Sequence, residues 1–307
     1  MANILVTGSN GFIGINLCNL LKKRGFTVKG LDLKGNHSEK SVDITNIDWA
    51  EYNLESYDAV IHLAAKVSVP ESFMIPDIYE DVNVKATEKL FKMCAKLKVK
   101  NVIFASSAAV YGDSVKEIKV VGEEGNPESP YAGNKLEGEI IAKKFASPNT
   151  KFTCFRFFNV YGQGQSSDSE YSSVIPLFID RLKSGKEIII FGKGQQTRDF
   201  IHVNDICNII VSCINNDSIP KFSCINLGTG NGASILDLAN NLFKIADELN
   251  FFTDSKIIYK PERPGDVMHS TADIIPLSRI YDVNSLISLD TGLKNLLFSS
   301  PNGVSDG

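Results

Sequence analysis

The sequence predicts an α/β fold, in which a doubly wound parallel sheet is joined to a second, smaller α/β domain. Short apolar runs lack the polar alternation of strands that face water on one side. They lie at 4–6, 27–31, 59–63, 102–106 and 152–158. Helical patterns separate the runs, and those at 76–97 and 130–146 carry apolar residues three and four positions apart. Strands that alternate with helices indicate a parallel sheet covered on both faces.

The first thirty residues have the pattern of a strand, a helix and a second strand. Glycines follow the run 4–6, and a helical stripe of Ile13, Leu17 and Leu21 follows the glycines. Gly25 stands where a helix C-cap is expected, directly before the second strand. This unit predicts two parallel neighbouring strands with one helix packed across them.

The elements become shorter after residue 162. A polar stretch at 163–173 contains Ser and Gly and predicts a loop near a domain boundary. Beyond it we predict helices at 174–184, 203–214 and 234–249, and strands at 188–191, 223–227 and 256–259. The expected first domain covers 1–162 and also includes about 198–227, the second covers 163–197 and 228–298, and a polar tail at 299–307 is expected to be disordered.

Composition excludes several classes of function. The 307 residues carry 32 basic and 36 acidic side chains, so the net charge of −4 opposes binding to nucleic acid. No apolar run approaches the roughly 20 residues that span a bilayer, and the start lacks a basic leader, so we expect a cytoplasmic protein without a membrane partner. Six scattered cysteines and four histidines without ligand spacing predict buried thiols and no metal.

A glycine motif predicts a dinucleotide site. Gly8, Gly11 and Gly14 lie between the first strand and the first helix, where backbone must approach a pyrophosphate at a helix N-terminus. Three glycines alone are equally consistent with a plain turn. Asp32 adds a second signal, because a carboxylate at the end of the second strand can accept both adenosine ribose hydroxyls and repels a 2′-phosphate. We therefore expect NAD rather than NADP, although Lys34 lies two residues on.

The spacing G-x-x-G-x-x-G resembles the extended short-chain dehydrogenase/reductase family, the NAD-dependent epimerases and dehydratases. Further segments are similar to family motifs, notably His62-Leu63-Ala64-Ala65 and the run Arg156 to Gly162. The resemblance covers residue 2 to about 295 and implies a Rossmann domain and a nucleotide-sugar domain. It implies these NAD contacts: Gly8, Asn10, Gly11, Phe12, Ile13, Gly14, Asp32, Leu33, Asp43, Ile44, Leu63, Ala64, Ala65, Asn83, Ser106, Tyr131, Lys135 and Phe158.

Tyr131 and Lys135 are the candidate catalytic pair. Ser129-Pro130 begins the helix that carries them, and their spacing of four places both on one face. A nearby ammonium favours the phenolate and makes Tyr131 a usable general base for a sugar hydroxyl. An isolated Y-x-x-x-K pair is more often merely structural. The family resemblance supplies a third catalytic hydroxyl, aligned with Ser107 and alternatively with Ser106.

The segment after Ser107 discriminates among the reactions of the family. Dehydratases and decarboxylases of the family carry an acidic residue just before Val-Tyr-Gly, whereas this chain has Ala108-Ala109. Without a second acid or base, oxidation and re-reduction at C4 is the simplest complete cycle. The resemblance is greatest to the UDP-glucose/UDP-N-acetylglucosamine 4-epimerases, so we expect a tightly bound NAD and a UDP-sugar substrate.

The same resemblance implies a set of substrate contacts, in which arginines hold the diphosphate. The set comprises Ser107, Asn159, Val174, Phe191, Arg198, Arg263, Asp266 and Ser270. Ser270 stands where some relatives have a bulky Tyr, so the pocket is expected to admit an N-acetyl group. Glu71 departs from N-acetyl-preferring relatives, which tend to have a basic residue there.

Two enzyme activities and one other role remain as alternatives. The same scaffold serves UDP-uronate 4-epimerases and nucleotide-sugar 4-ketoreductases, and an NAD-sensing regulator would retain the glycine motif without turnover. The resemblance also implies a homodimer that pairs through the helices near 85–97 and 131–146.

Overall fold

Thirteen strands and ten helices are present in the computed structural model, which describes residues 2–35, 41–50, 52–166, 173–251, 253–262 and 267–298. The strands are β1 (Asn3–Thr7), β2 (Thr27–Leu31), β3 (Ala59–His62), β4 (Asn101–Ser107), β5 (Ile118–Lys119), β6 (Lys151–Phe157), β7 (Asn159–Tyr161), β8 (Ile188–Phe191), β9 (Thr197–His202), β10 (Phe222–Leu227), β11 (Gly232–Ser234), β12 (Ile257–Lys260) and β13 (His269–Ala272). The helices are α1 (Phe12–Lys23), α2 (Val69–Met74), α3 (Pro76–Glu80), α4 (Ala86–Lys96), α5 (Pro130–Phe145), α6 (Val174–Lys183), α7 (Val203–Cys213), α8 (Ile235–Glu248), α9 (Ile275–Ser278) and α10 (Leu289–Phe298).

Six apolar strands form one parallel sheet in the order β10–β6–β4–β3–β1–β2. The chain runs outward from β1 to β2, then returns to place β3 on the other side of β1. The place where the strand order reverses in this way is called a switch point. In open α/β sheets, ligands bind there, in the crevice outside the carboxyl ends of the strands. The predicted doubly wound α/β fold is confirmed, and its crevice opens beyond Thr7 and His62.

Both faces of this sheet are covered by helices. Ile4 and Val6 pack into the core on the side of α1 and α7, whereas Leu5 packs into the core on the side of α4 and α5. All three side chains are fully buried, which explains why the strand has no polar alternation. Five of the six cysteines are buried, as predicted, and Cys224 is half-buried.

A second, mixed sheet follows the order β11–β9–β13–β5, with β7 added on β9. Strand β9 is antiparallel to β11 and parallel to β13 and β7. Strands β8 and β12 form a separate parallel pair, and α6, α8 and α10 pack in the core of this region. The second, smaller α/β unit is thus confirmed.

No strand was predicted from the sequence at Thr197–His202, where the structure has strand β9. Its polar residues hid the strand, because Asp199 is completely buried and makes hydrogen bonds inside the protein. Strand β9 joins the second sheet, whereas β10 joins the large one, and the exact domain boundaries stay a prediction. The tail at 299–307 lies outside the described residues. No helix in the described ranges is long and apolar enough to cross a membrane.

Candidate active site

The glycine motif forms a tight turn in which Gly8 and Gly14 have no room for a side chain. Gly8 has φ +75°, and a Cβ there would lie 2.7 Å from the backbone nitrogen of Ala64. A Cβ on Gly14 would lie 2.0 Å from the carbonyl oxygen of Gly8. Phe12 and Ile13 begin α1 directly beneath this turn. In the described part of the chain, the buried hydroxyl of Ser9 has no hydrogen-bond partner. Bare backbone and an unpartnered hydroxyl at a helix N-terminus fit a pyrophosphate.

Asp32 lies beside this turn and holds it closed. Its carboxylate accepts hydrogen bonds from the backbone nitrogens of Asn10, at 2.9 Å, and Lys34, at 2.8 Å. The adjacent Leu33 is exposed. Val42 donates to the Asp32 carbonyl, which brings Asp43 and the buried Ile44 next to the end of β2. The structure therefore groups the residues predicted to hold the adenosine half of NAD at one edge of the sheet.

The segment that follows β3 lies across the mouth of the crevice. Leu63 and Ala64 pass within van der Waals contact of Gly8, and Ala65 follows them. The side chain of Asn83 then clamps Lys66, accepting from its backbone nitrogen and donating to its carbonyl, each at 2.9 Å. Asn83 lies in a π-helical turn at Asp81–Lys85. The predicted cofactor residue Asn83 thus fixes the path of the chain along the crevice.

His62 is a neutral core residue. Its ring nitrogens pair with the hydroxyl of Thr7 at 2.7 Å and with the hydroxyl of Thr87 at 2.9 Å. Burial, together with the nearby Lys135, lowers the pKa of His62 to about 3. The histidine therefore joins β3 to β1 and α4 and does not titrate near neutral pH.

Ser107, Tyr131 and Lys135 meet at the carboxyl end of β4. The Ser107 hydroxyl accepts from the backbone nitrogen of Ala109 at 3.1 Å, and it lies near enough to the Tyr131 phenol to lower the pKa of that group. Lys135 Nζ donates to the carbonyl of Ala105 at 2.8 Å and lies 5.9 Å from the centre of the Tyr131 ring. The Ser129 hydroxyl caps α5 as predicted. The fold thus brings the three predicted catalytic residues together.

Burial opposes the charged forms of both titrating groups. It raises the pKa of Tyr131, although the Ser107 hydrogen bond acts in the opposite direction. It lowers the pKa of Lys135 to about 7, because the ammonium is removed from water. Ser107 is thus the group that favours the charged form of the phenol, and Lys135 Nζ lies 5.9 Å from the centre of its ring.

A buried ion network behind the catalytic residues was missed by the sequence reasoning. The Arg156 guanidinium donates to both oxygens of Glu139, at 2.9 and 2.7 Å, and also to Glu124. Ser106 donates its hydroxyl to Glu139 at 2.5 Å and is 3% exposed. Glu139 follows Lys135 by four residues on the same helical face, and this spacing was the available signal.

Asn159, Arg198 and Ser270, three of the predicted substrate contacts, lie in the second sheet. The side chain of Asn159 donates to the carbonyl of Asp199 at 3.1 Å. Arg198 donates to the carbonyls of Thr197 at 2.9 Å and Val267 at 2.6 Å. Half-buried Ser270 is paired directly with Arg198 across β13 and β9. Three of the predicted substrate residues therefore share one sheet.

Asp199 ties this sheet to the neighbouring loop. Its carboxylate accepts from the backbone nitrogens of Thr229, Gly230 and Ala272 at 2.7, 2.9 and 3.1 Å. Sequence reasoning assigned it no role, and no motif signalled these backbone partners.

The remaining predicted contacts are more dispersed. Phe158 is buried and packs near Tyr111, with ring centres 6.3 Å apart. Val174 begins α6 and Phe191 ends β8, and both are half-buried. Arg263 and Asp266 lie outside the described residues.

Glu71 stands where N-acetyl-preferring relatives tend to have a basic residue, and its side chain binds two neighbouring residues. Its carboxylate pairs with Lys66 Nζ at 3.2 Å and accepts from the Tyr79 hydroxyl at 2.8 Å. The Glu71 carboxylate is therefore occupied by neighbouring side chains.

Comparison with known proteins identifies relatives along nearly the whole chain. A family model described as "NAD dependent epimerase/dehydratase family" matches residues 4–228. A putative UDP-glucose 4-epimerase of Methanocaldococcus jannaschii is 34% identical, with 88% of this chain and 90% of that protein covered. A UDP-glucuronate 4-epimerase of Thermodesulfobacterium geofontis is 30% identical, covering 96% and 94%.

Solved structures show the same fold. The UDP-glucose 4-epimerase of Thermotoga maritima with UDP-glucose has a TM-score of 0.83 at 30% identity, covering 95% of this chain and 96% of that one. The UDP-N-acetylglucosamine 4-epimerase of Methanobrevibacter ruminantium, in complex with UDP-N-acetylmuramic acid, has a TM-score of 0.81 at 33% identity, covering 96% and 97%.

The family accounts for the geometry at the switch point. The closed glycine turn, Asp32 at the end of β2 and the chain crossing after β3 together fit NAD, which is the cofactor of the family. Across the crevice, the end of β4 and the second sheet carry the residues that the family resemblance assigns to catalysis and to nucleotide-sugar binding. The chain belongs to the NAD-dependent epimerase/dehydratase family of nucleotide-sugar enzymes.

Proposed function

We propose that this protein is a UDP-hexose 4-epimerase that interconverts UDP-GlcNAc with UDP-GalNAc and UDP-Glc with UDP-Gal. One observation carries the proposal. Ser107, Tyr131 and Lys135 lie together, and the two residues after Ser107 are Ala108 and Ala109, which supply no acidic side chain. This group can move one proton at one hydroxyl. The acidic side chains behind it, Glu124 and Glu139, are bound to Arg156, which makes them poor candidates for a second proton carrier.

In the proposed cycle, Tyr131 takes the proton of the sugar 4-hydroxyl. Before this transfer Tyr131 is the phenolate, which a hydrogen bond donated by Ser107 and the charge of the Lys135 ammonium both favour; after it, Tyr131 is a neutral phenol. NAD, when bound, accepts the C4 hydride and returns it. After transfer, the 4-keto sugar turns about its phosphate linkage, so that the hydride returns to the opposite face.

This turn requires a firmly held nucleotide and a loosely held sugar. Asn159 and Arg198, with Arg263 and Asp266, are the residues that we assign to the UDP part. Their contacts lie on the portion of the substrate that does not react, so binding energy there does not restrain the sugar. The three backbone contacts of Asp199 stiffen the strand that carries Arg198.

A substrate panel without added NAD tests the proposal. We expect purified protein to convert UDP-GalNAc and UDP-Gal to their 4-epimers, detected by chromatography. Turnover of UDP-glucuronate alone would instead identify a UDP-uronate 4-epimerase, an alternative that the 30% identity to one such enzyme supports. Turnover that needs added reduced cofactor would identify a ketoreductase, and NAD binding without turnover would identify a regulator.

Substitution of Ser270 tests the proposed sugar range. Ser270→Tyr is expected to lower kcat/KM for UDP-GalNAc at least about 10-fold more than kcat/KM for UDP-Gal, because the added ring fills the space of the N-acetyl group. The pairing of Ser270 with Arg198 in the second sheet supports its location beside the nucleotide. Ser270→Ala is the matched control, and it should leave the ratio of the two kcat/KM values unchanged. An equal loss for both substrates would contradict the assignment.

We also propose a homodimer that pairs through α4 and α5, with α2 and α3, which contact α5, at the edge of the same surface. Phe73 and Met74, in α2, are 59% and 68% exposed, and Ile78 and Ile140 are 47% and 53% exposed. Helix α3 carries Asp77 and Glu80, and α4 carries Lys89, Lys92 and Lys96 after Glu88, so an antiparallel pairing of two copies would oppose mostly unlike charges. Light scattering should give a mass of about 67 kDa for a pair of 33.7 kDa chains. The double variant Phe73→Glu/Met74→Glu should halve that mass, and a monomeric unmodified protein would refute the dimer.

A further inference from the structure

Asp199 is a fully buried residue of β9, and its carboxylate is surrounded by hydrogen-bond donors. The backbone nitrogens of Thr229, Gly230 and Ala272 donate to it at 2.7, 2.9 and 3.1 Å. The Thr229 hydroxyl adds a fourth hydrogen bond at 2.7 Å. A carboxylate away from water is costly unless donors satisfy it, so the carboxylate and its four donors hold one another in place.

This carboxylate continues the connection between β9 and β13 beyond the end of their ladder. The parallel pairing of the two strands ends at Arg198 and Ser270. Ala272, two residues beyond Ser270, donates its backbone N–H to the Asp199 carboxylate. One side chain thus fixes the strand that carries Arg198 against the strand that carries Ser270.

Asp199 also contacts Asn159 and the loop that follows β10. Its backbone carbonyl accepts from the Asn159 side chain at 3.1 Å. The loop closes tightly on the carboxylate, since a Cβ on Gly228 would lie 2.6 Å from Asp199 Oδ2 and 2.6 Å from the Cβ of Ala272. Gly230 has φ +74°, a conformation that side chains rarely allow. The loop is therefore shaped to bring its backbone N–H groups to the carboxylate.

Arg198 and Asp199 are neighbours on β9, so their side chains leave opposite faces of the strand. Arg198 shares its face with Ser270, because the two residues are opposite each other in the parallel ladder. Asp199 is held from the other face by the contacts described above. A shift of the buried carboxylate would therefore displace the backbone from which the half-buried Arg198 side chain extends.

We propose that Asp199 is a positioning residue that sets the relative places of Arg198, Asn159 and Ser270 for the UDP-sugar. The inference rests on the proposed function, which assigns these three residues to the substrate, and it adds the group that holds them together. Asp199 acts through contacts to the part of the substrate that does not react. Its loss should therefore weaken binding in the ground state and the transition state alike, which raises KM and leaves kcat unchanged.

Thr229→Val tests the proposal while the buried charge is kept. Substitution of Asp199 itself would leave three backbone N–H groups without their acceptor, whereas Thr229→Val deletes one donor and keeps the branched shape of a half-buried side chain. In the NAD-loaded protein, we expect the Kd for UDP, measured by calorimetry, and the KM for the converted UDP-sugar to rise about 5-fold. The kcat should change less than about twofold. An unchanged Kd, or a fall in kcat without a rise in KM, would overturn the proposal.

Thr229→Ser and Thr253→Val are the controls. Serine keeps the hydroxyl, so Thr229→Ser should hold the Kd for UDP within about twofold of that of the unmodified protein. Thr253 is also half-buried and donates to the carbonyl of Leu182, near the end of α6, at 2.7 Å. Thr253→Val removes an equally short hydrogen bond away from Asp199 and should leave the Kd unchanged. A loss in either control equal to that of Thr229→Val would assign the effect to general packing and overturn positioning.

A double-mutant cycle with Arg198→Ala identifies a residue through which Asp199 acts. In the Arg198→Ala background, Thr229→Val should raise the Kd for UDP less than about twofold, because the guanidinium that it displaces is absent. Equal rises in both backgrounds would show that the effect does not pass through Arg198 and would overturn the proposal.

UDP binding separates this inference from the proposed function, because it needs no turnover. A raised Kd for Thr229→Val in a protein that converts no UDP-sugar would support positioning while refuting the proposed activity. An unmoved Kd in an active 4-epimerase would overturn positioning alone. Absence of UDP binding by the unmodified protein would overturn both.

Discussion

Tyr131→Phe is expected to lower kcat at least about 1000-fold while NAD and UDP remain bound. The change removes only the phenolic oxygen, which is the proposed proton carrier, and general base catalysis contributes about 100-fold to 10,000-fold. The ring itself is retained, so its packing beside Lys135, 5.9 Å away, should persist. Among the described residues, Glu124 and Glu139 behind the site are both paired with Arg156, so neither offers an equivalent base.

Initial rates with the UDP-sugar converted by the unmodified enzyme measure this effect, and fluorescence titration measures NAD binding. Tyr259→Phe is the matched control, because Tyr259 is 58% exposed on β12 and should tolerate the change. Full activity of Tyr131→Phe would refute the assignment of the base. Loss of NAD binding together with activity would indicate that the oxygen serves the cofactor site instead.

Gly14→Ala is expected to abolish tight NAD binding and to destabilise the protein by about 3 kcal/mol. The added Cβ would lie 2.0 Å from the Gly8 carbonyl oxygen and 2.8 Å from two backbone atoms of Ser9. These are backbone atoms of the turn that receives the pyrophosphate, so no flexible side chain can move aside. The helix or the turn must shift, and α1 would lose its alignment with the bound phosphates.

Thermal unfolding measures the loss of stability, and retention of NAD through gel filtration measures the loss of tight binding. Gly133→Ala is the matched control. A Cβ at Gly133 meets no atom within 4 Å, and alanine in a helix is favoured by about 1 kcal/mol over glycine. We therefore expect Gly133→Ala to retain NAD and to melt slightly higher. Unchanged NAD retention in Gly14→Ala would contradict the role of the close approach.

Local patterns were sufficient for much of the fold and part of the candidate site. Apolar runs without alternation predicted five of the six strands of the large sheet, and the sixth run, at 223–227, coincides with β10. Ser129-Pro130 predicted the start of α5, where the cap is observed. The spacing of Tyr131 and Lys135 predicted their common helical face. These features depend on residues that are close in sequence. The spacing of apolar residues and the capping residues determine the local conformation there.

Strand β9 was not predicted, because the burial of its polar residues depends on hydrogen-bond partners that are distant in the chain. Asp199 is polar and would favour a loop if it were exposed, yet it is buried and accepts from residues 30 and more positions away. Helix α10 was missed as well, although its Leu293 and Leu297 pack in the second core. Their burial follows from contacts with β9 and α8 rather than from a local signal.

The sequence by itself determined the parallel sheet, the glycine turn, the NAD preference expected from Asp32, and the common helical face of Tyr131 and Lys135, because each depends on short-range spacing or on one charged group. Only the tertiary structure decided that the Ser106 hydroxyl is buried against Glu139, which Arg156 also binds, while Ser107 is half-buried and accepts from Ala109. The sequence aligns Ser107 with the family serine and leaves Ser106 as the alternative. The surroundings of the two serines depend on how the end of β4 packs against α5, an element more than twenty residues away in the chain.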